Sequence, residues 1–130
     1  MFTSLPTLLA LTILLGLFHV LLAGALVTAS RGGRWNAGNR DGTPPPVGVH
    51  AGRAERASRN FLETFPFFAA ALVCAIAIDR TGDRTVLGAQ LYFWARLAYL
   101  PIYVIGIPYV RSLVWAVSLA GLLMIVSDLL

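Results

Sequence analysis

Apolar positions in this chain fall into four long runs, with polar residues gathered between them. The first run is Leu5 to Ala29. At a rise of about 1.5 Å per residue, a helix of that length crosses a ~30 Å hydrocarbon core. No basic segment precedes it, and it exceeds the roughly 7–15 residues of a signal-peptide core, so it reads as a span. His19 is its one ionisable residue and is expected to bond a neighbouring helix. Ser30 to Arg53 follows as a loop with Arg31, Arg34, Arg40 and Arg53, several Gly, and the run Pro44-Pro45-Pro46, which cannot continue a helix. Loops of this length are often functional. A second helix is expected over about 51–78. Its first turns are charged, it is apolar from Phe65, and Pro66 is a candidate kink. The polar turn Asp79 to Arg84 leads to a third run over about 86–105, interrupted by Gln90 and Arg96. Gly106-Ile107-Pro108 forms a hinge before the fourth run, about 109–130. The pattern predicts an all-α membrane protein: one transmembrane domain over 1–130, built as a four-transmembrane-helix bundle with a loop at about 30–50.

Composition sharpens this picture. Charged residues are 12% of the chain, against about 25% in a soluble domain, and they are confined to a few stretches. The 58% hydrophobic content excludes a disordered chain. The net charge is +4 and all basic residues are Arg. With no soluble basic domain to carry it, nucleic-acid binding is not expected. The Arg instead set topology. Six lie between Arg31 and Arg59, which places the first loop in the cytoplasm and both termini on the other side. Cys74, alone in an apolar run, is expected to be a buried, inert thiol. No metal site is expected.

Two polar stripes carry the candidate chemistry. Arg56, Asn60 and Glu63 stand at i, i+4 and i+7 of the second helix, with Arg59 on their flank. Tyr92, Arg96, Tyr99 and Tyr103 share one face of the third. A lone guanidinium at mid-span costs ~2.5–3.5 kcal/mol on insertion scales, so Arg96 needs a partner, and Glu63 is the natural intramembrane one. Arg111 opens the fourth helix on the side of Arg56. Such a set suits an anionic ligand with carboxylates for the Arg forks and an amine or amide for Glu63 and Asn60. Glutathione has both, as do other small anions and lipid head groups. The same pattern also fits residues that only anchor helices to phosphates or pair structurally.

The segment Arg56-Ala57-Ser58-Arg59-Asn60-Phe61-Leu62-Glu63-Thr64-Phe65-Pro66-Phe67-Phe68 resembles the signature of the MAPEG family (membrane-associated proteins in eicosanoid and glutathione metabolism). Its Glu-to-Pro spacing is closer to the leukotriene-conjugating branch, although Thr64 stands where those relatives have Tyr. The stretch Tyr92 to Tyr103 and the pair Arg111-Ser112 resemble the family's third helix and the start of its fourth. Gly38-Asn39-Arg40-Asp41 and the closing Arg-Ser-Leu-Val-Trp resemble small bacterial members.

That resemblance implies a homotrimer in the bacterial inner membrane, multi-pass, with periplasmic termini and glutathione held as co-substrate between subunits near the cytoplasmic face. Arg56, Arg59, Asn60 and Glu63 would be glutathione-binding residues of the second helix, Tyr99 and Tyr103 of the third, and Arg31 of the end of the first. Arg111 matches the catalytic Arg that stabilises the glutathione thiolate. The implied activity is a glutathione transferase or peroxidase acting on lipophilic electrophiles or hydroperoxides. The alternatives are a non-catalytic membrane protein of the same fold holding a lipid or organic anion, and a structural bundle whose charges only set topology.

Overall fold

A computed structural model describes residues 4–130 as five helices, with no strand among them. Residues 1–3 of the single domain expected over 1–130 lie outside the described residues. α1 is Leu5–Arg31, entered through Ser4, whose Oγ accepts the Thr7 N–H at 3.5 Å, and left at Gly32, whose φ of 94° ends the helical path. The expected loop contains a short helix, α2, Gly33–Ala37. The segment after it is laid back on the end of α1. The Arg31 Nε donates to the Pro45 carbonyl at 2.8 Å, and the Gly48 N–H donates to Ser30 Oγ at 3.1 Å.

α3 is Val49–Ala77, 29 residues, or about 43 Å long. That is longer than a ~30 Å core, so its charged first turns extend beyond the apolar part. Pro66 lies within α3 and Pro101 within α4, and both helices continue through them. α3 closes with Asp79 in the left-handed region, φ 57°. The Arg80 N–H reaches back to the Ala75 carbonyl at 2.9 Å and the Asp79 N–H to Ile76 at 3.3 Å, a Schellman closure. α4 is Asp83–Ile105 and α5 is Pro108–Leu129.

The helix ends fix the directions. Arg53, near the start of α3, donates to the carbonyls of Val104 and Ile105 at the end of α4, at 3.3 and 3.0 Å. Thr85, near the start of α4, donates to the Asp128 carboxylate at the end of α5 at 2.7 Å. α4 therefore runs antiparallel to both α3 and α5. Large apolar residues face outward all round, Leu14, Phe18, Leu21, Phe67, Leu113 and Leu123 among them. Such a surface has lipid, not water, as its solvent. Three helices, α1, α3 and α5, are long and apolar enough to cross a membrane. α4 has the length, but Asp83, Arg84, Gln90 and Arg96 dilute its apolar character. Cys74 is not buried as expected from the sequence. It is exposed on the outer face of α3, because a helix that meets lipid turns apolar positions outward as well as inward.

Packing rests on aromatic stacking and on glycines. Phe68 of α3 lies flat on Tyr92 of α4, centroids 4.0 Å apart and planes 8° from parallel. Gly16 admits the Phe61 ring against α1, since a Cβ there would stand 2.7 Å from Cε1. Gly88 and Gly121 let α4 and α5 touch backbone to backbone. A Cβ on either would come within 2.5 Å of the other's carbonyl oxygen. Small residues at such crossings are how membrane helices gain dispersion contact. Gly121→Val is expected to lower stability in detergent by ~1–3 kcal/mol, since neither backbone can yield. Gly24→Ala, where nothing lies within 4 Å, should instead gain ~0.5–1 kcal/mol. Thermal unfolding of the two variants checks both.

Candidate functional site

The first half of α3, the second half of α4 and the start of α5 meet where Arg53 caps α4. Gly106 makes the turn, at φ 96°. A Cβ at this position would also stand 2.5–2.9 Å from the Arg53 guanidinium, so the hinge and the arginine that closes it are built together. Next to them, the ring of Tyr103 serves two arginines. The Arg56 Nε donates to the Tyr103 hydroxyl at 3.2 Å. The Arg111 guanidinium carbon lies 4.7 Å from the ring centroid. Tyr99 meets Tyr103 edge-on, centroids 5.5 Å apart. A cleft of about 340 Å³ opens here, with Arg53, Arg56, Tyr103 and Arg111 in its walls. A second, of about 150 Å³, is lined by Asn60, Tyr99, Arg111, Ser112 and Trp115. Arg111 borders both. Neither cleft has a carboxylate among its described lining residues. Positive charge is left facing open space, which is the condition for holding an anion.

Behind the clefts lies Arg96, fully buried at 0% exposure. The Glu63 pairing expected from the sequence does not form. The Arg96 Nη1 donates instead to Asn60 Oδ1 at 2.8 Å, and its guanidinium carbon stands 4.4 Å from the Tyr99 ring centroid and 5.3 Å from that of Phe61. The reason is helical phase. Asn60 and Phe61 face α4, while Glu63, three residues beyond Asn60, falls on the exposed side of α3. Among the described residues, the ion pair that does form is Arg84–Asp128, at 3.6 Å at the opposite end. His19 departs from expectation as well. It is fully buried, but neither ring nitrogen has a hydrogen-bond partner. It packs by stacking on Phe61, centroids 4.8 Å apart.

The candidate residues thus divide. Arg56, Asn60, Tyr99, Tyr103 and Arg111 come together around the two clefts. Arg59 and Glu63 lie on the exposed face of α3, outside both. Arg31 is engaged with Pro45 and lines neither. Arg53, Ser112 and Trp115 join the site although the sequence stripes do not single them out. Arg53 stands one helical turn before Arg56, a signal present but shared with ordinary membrane-flanking arginines. No metal-binding cluster occurs among the described residues.

A family model, that of the MAPEG family, matches residues 8–129. The chain belongs to the MAPEG family. No curated protein and no solved structure matches it. For this MAPEG protein, the match takes in all five helices, from the second turn of α1 to the end of α5. It is a membrane protein of a family concerned with glutathione and eicosanoid metabolism. The Arg53 bracket is expected to hold the cleft mouth in shape. Arg53→Ala should speed amide exchange at Gly106 and Ile107 at least tenfold, since it removes both hydrogen bonds to the α4 carbonyls and a hydrogen bond from a charged group contributes ~1.5 kcal/mol or more. Protection in α1 should be unchanged. Hydrogen-exchange mass spectrometry measures both.

Proposed function

We propose that this protein is a glutathione-dependent membrane transferase or peroxidase acting on lipophilic electrophiles or hydroperoxides. The observation that carries the reading is the carboxylate-free cleft walled by Arg53, Arg56 and Arg111 on the Tyr103 ring. Family membership supplies the class of ligand. Glutathione's two carboxylates suit guanidinium forks, and Arg111, bordering both clefts, is the cation we assign to its sulfur. A nearby guanidinium favours thiolate over thiol, and the thiolate is the nucleophile. The thiol proton passes to solvent. The thiolate sulfur then forms a bond to an electrophilic carbon, giving a thioether as the leaving group departs with its electron pair. With a hydroperoxide, two glutathiones are oxidised to the disulfide and the peroxide is reduced to alcohol and water.

In the same reading α4 crosses the membrane with α1, α3 and α5, since it joins the two ends of antiparallel neighbours. The Arg-rich loop side is cytoplasmic, in a bacterial inner membrane. The protein assembles as a homotrimer. Support comes from Glu63, an acid near the apolar part of α3 that faces outward without a partner among the described residues. A carboxylate at that depth calls for a neighbouring subunit or a ligand ammonium. Light scattering in mild detergent should give three copies, and a monomer would remove the intersubunit site.

A second reading, a non-catalytic lipid carrier on the same fold, is favoured by an apolar groove of about 690 Å³ between α1 and α4, lined by Leu15, Phe18, Trp94 and Pro101. Arg111→Ala separates the two. An enzyme should lose at least tenfold in turnover of a lipophilic aryl halide, while glutathione affinity by calorimetry falls less. Unchanged turnover would remove the role given to Arg111. Absence of both binding and turnover in the wild type would leave the carrier reading.

A further inference from the structure

We infer that Arg96 is a positioning residue: it holds the side-chain amide of Asn60 so that the NH₂ group faces the cleft and meets a hydrogen-bond acceptor on the ligand. The inference rests on the anion-binding reading of the same cleft and deepens it. A guanidinium has only donors, so the Asn60 atom 2.8 Å from Arg96 Nη1 must be the carbonyl oxygen. The opposite end of the amide is then Nδ2, a donor. Asn60 lines the smaller cleft beside Arg111 and Ser112, and its Nδ2 has no partner among the described residues. Arg96 is itself locked. It has no exposure, and the Tyr99 and Phe61 rings lie against its guanidinium. Asn60 cannot rotate its oxygen into the cleft without leaving a buried cation with no acceptor, a costly exchange. The cleft therefore offers the ligand an N–H from Asn60 beside the Arg111 guanidinium, two donors aimed at one region. A carboxylate, carbonyl or thiolate suits it, and an ammonium does not.

Asn60→Asp tests this, because the variant keeps the acceptor toward Arg96 and replaces the donor toward the ligand with an anionic oxygen. Two readouts are needed on the full-length protein in detergent. The first is the melting temperature without ligand. Asn60→Asp should match or exceed the wild type, since it keeps an oxygen on Arg96 Nη1 and sets a negative charge beside a buried cation, whereas Asn60→Leu should melt several degrees lower. An Asn60→Asp protein that melts as low as Asn60→Leu overturns the Arg96 link. The second readout is glutathione affinity by calorimetry. Asn60→Asp should weaken it at least tenfold despite its intact stability, a loss that a purely structural Asn60 would not give. Equal affinity in the stable variant overturns the donor assignment. If the wild type itself binds no glutathione, the proposed function fails, and the melting temperatures alone then uphold or overturn the Arg96–Asn60 link.

Discussion

One cation has to be kept inside a membrane protein with no carboxylate beside it, and the site is arranged around the solution. Arg96 is wholly buried, and a buried guanidinium in a membrane protein is costly unless it is met by other groups. Here it is met by a neutral amide and by two ring faces. A desolvated cation over a ring gains ~2 kcal/mol or more, so Tyr99 and Phe61 supply attraction without charge. Phe61 in turn fits against α1 only because Gly16 yields room. The same arrangement binds α3 to α4, orients Asn60, and sets Tyr99 against Tyr103. Had Glu63 taken Arg96, the bundle would hold a neutral pair. With Asn60 there instead, no negative charge competes for the arginines next to it.

A division of labour among the arginines follows. Arg53 is used on the carbonyls at the end of α4, a position where cations suit the helix dipole. Arg96 is used within the bundle. Arg56 and Arg111 rest on Tyr103 and line the cleft. Residues alike in composition are thereby given different tasks by what each one faces. The far end follows another logic, with Arg84 paired to Asp128 and Thr85 bonded to the same carboxylate. Charge there is neutralised locally and closes the bundle.

Much of this was legible in the sequence. The apolar runs place α1, α3 and α5 within a few residues, because long apolar helices follow from length and hydropathy alone. The i, i+4, i+7 spacing brings Arg56 and Asn60 toward the tyrosines of α4. What the pattern could not carry is which of two polar residues on a stripe turns inward. Asn60 and Glu63 share a broad face, and a rotation of a few tens of degrees decides between them. Cys74 and His19 show the same limit. Membrane helices are apolar on both sides, so hydropathy does not separate packed positions from lipid-facing ones. Nor does it show that a buried histidine is held by stacking. Arg53 was visible as one more membrane-flanking arginine, but its partners are backbone carbonyls, which carry no sequence signal.

The central claim is that an arginine-walled cleft without carboxylates holds glutathione as its thiolate. The most direct measurement is the ultraviolet difference absorbance of the thiolate as glutathione is titrated into the purified protein near neutral pH. The account predicts a saturable thiolate band at a pH where free glutathione, with a thiol pKa near ~8.5, is mostly protonated. Saturable binding with no such band would contradict it.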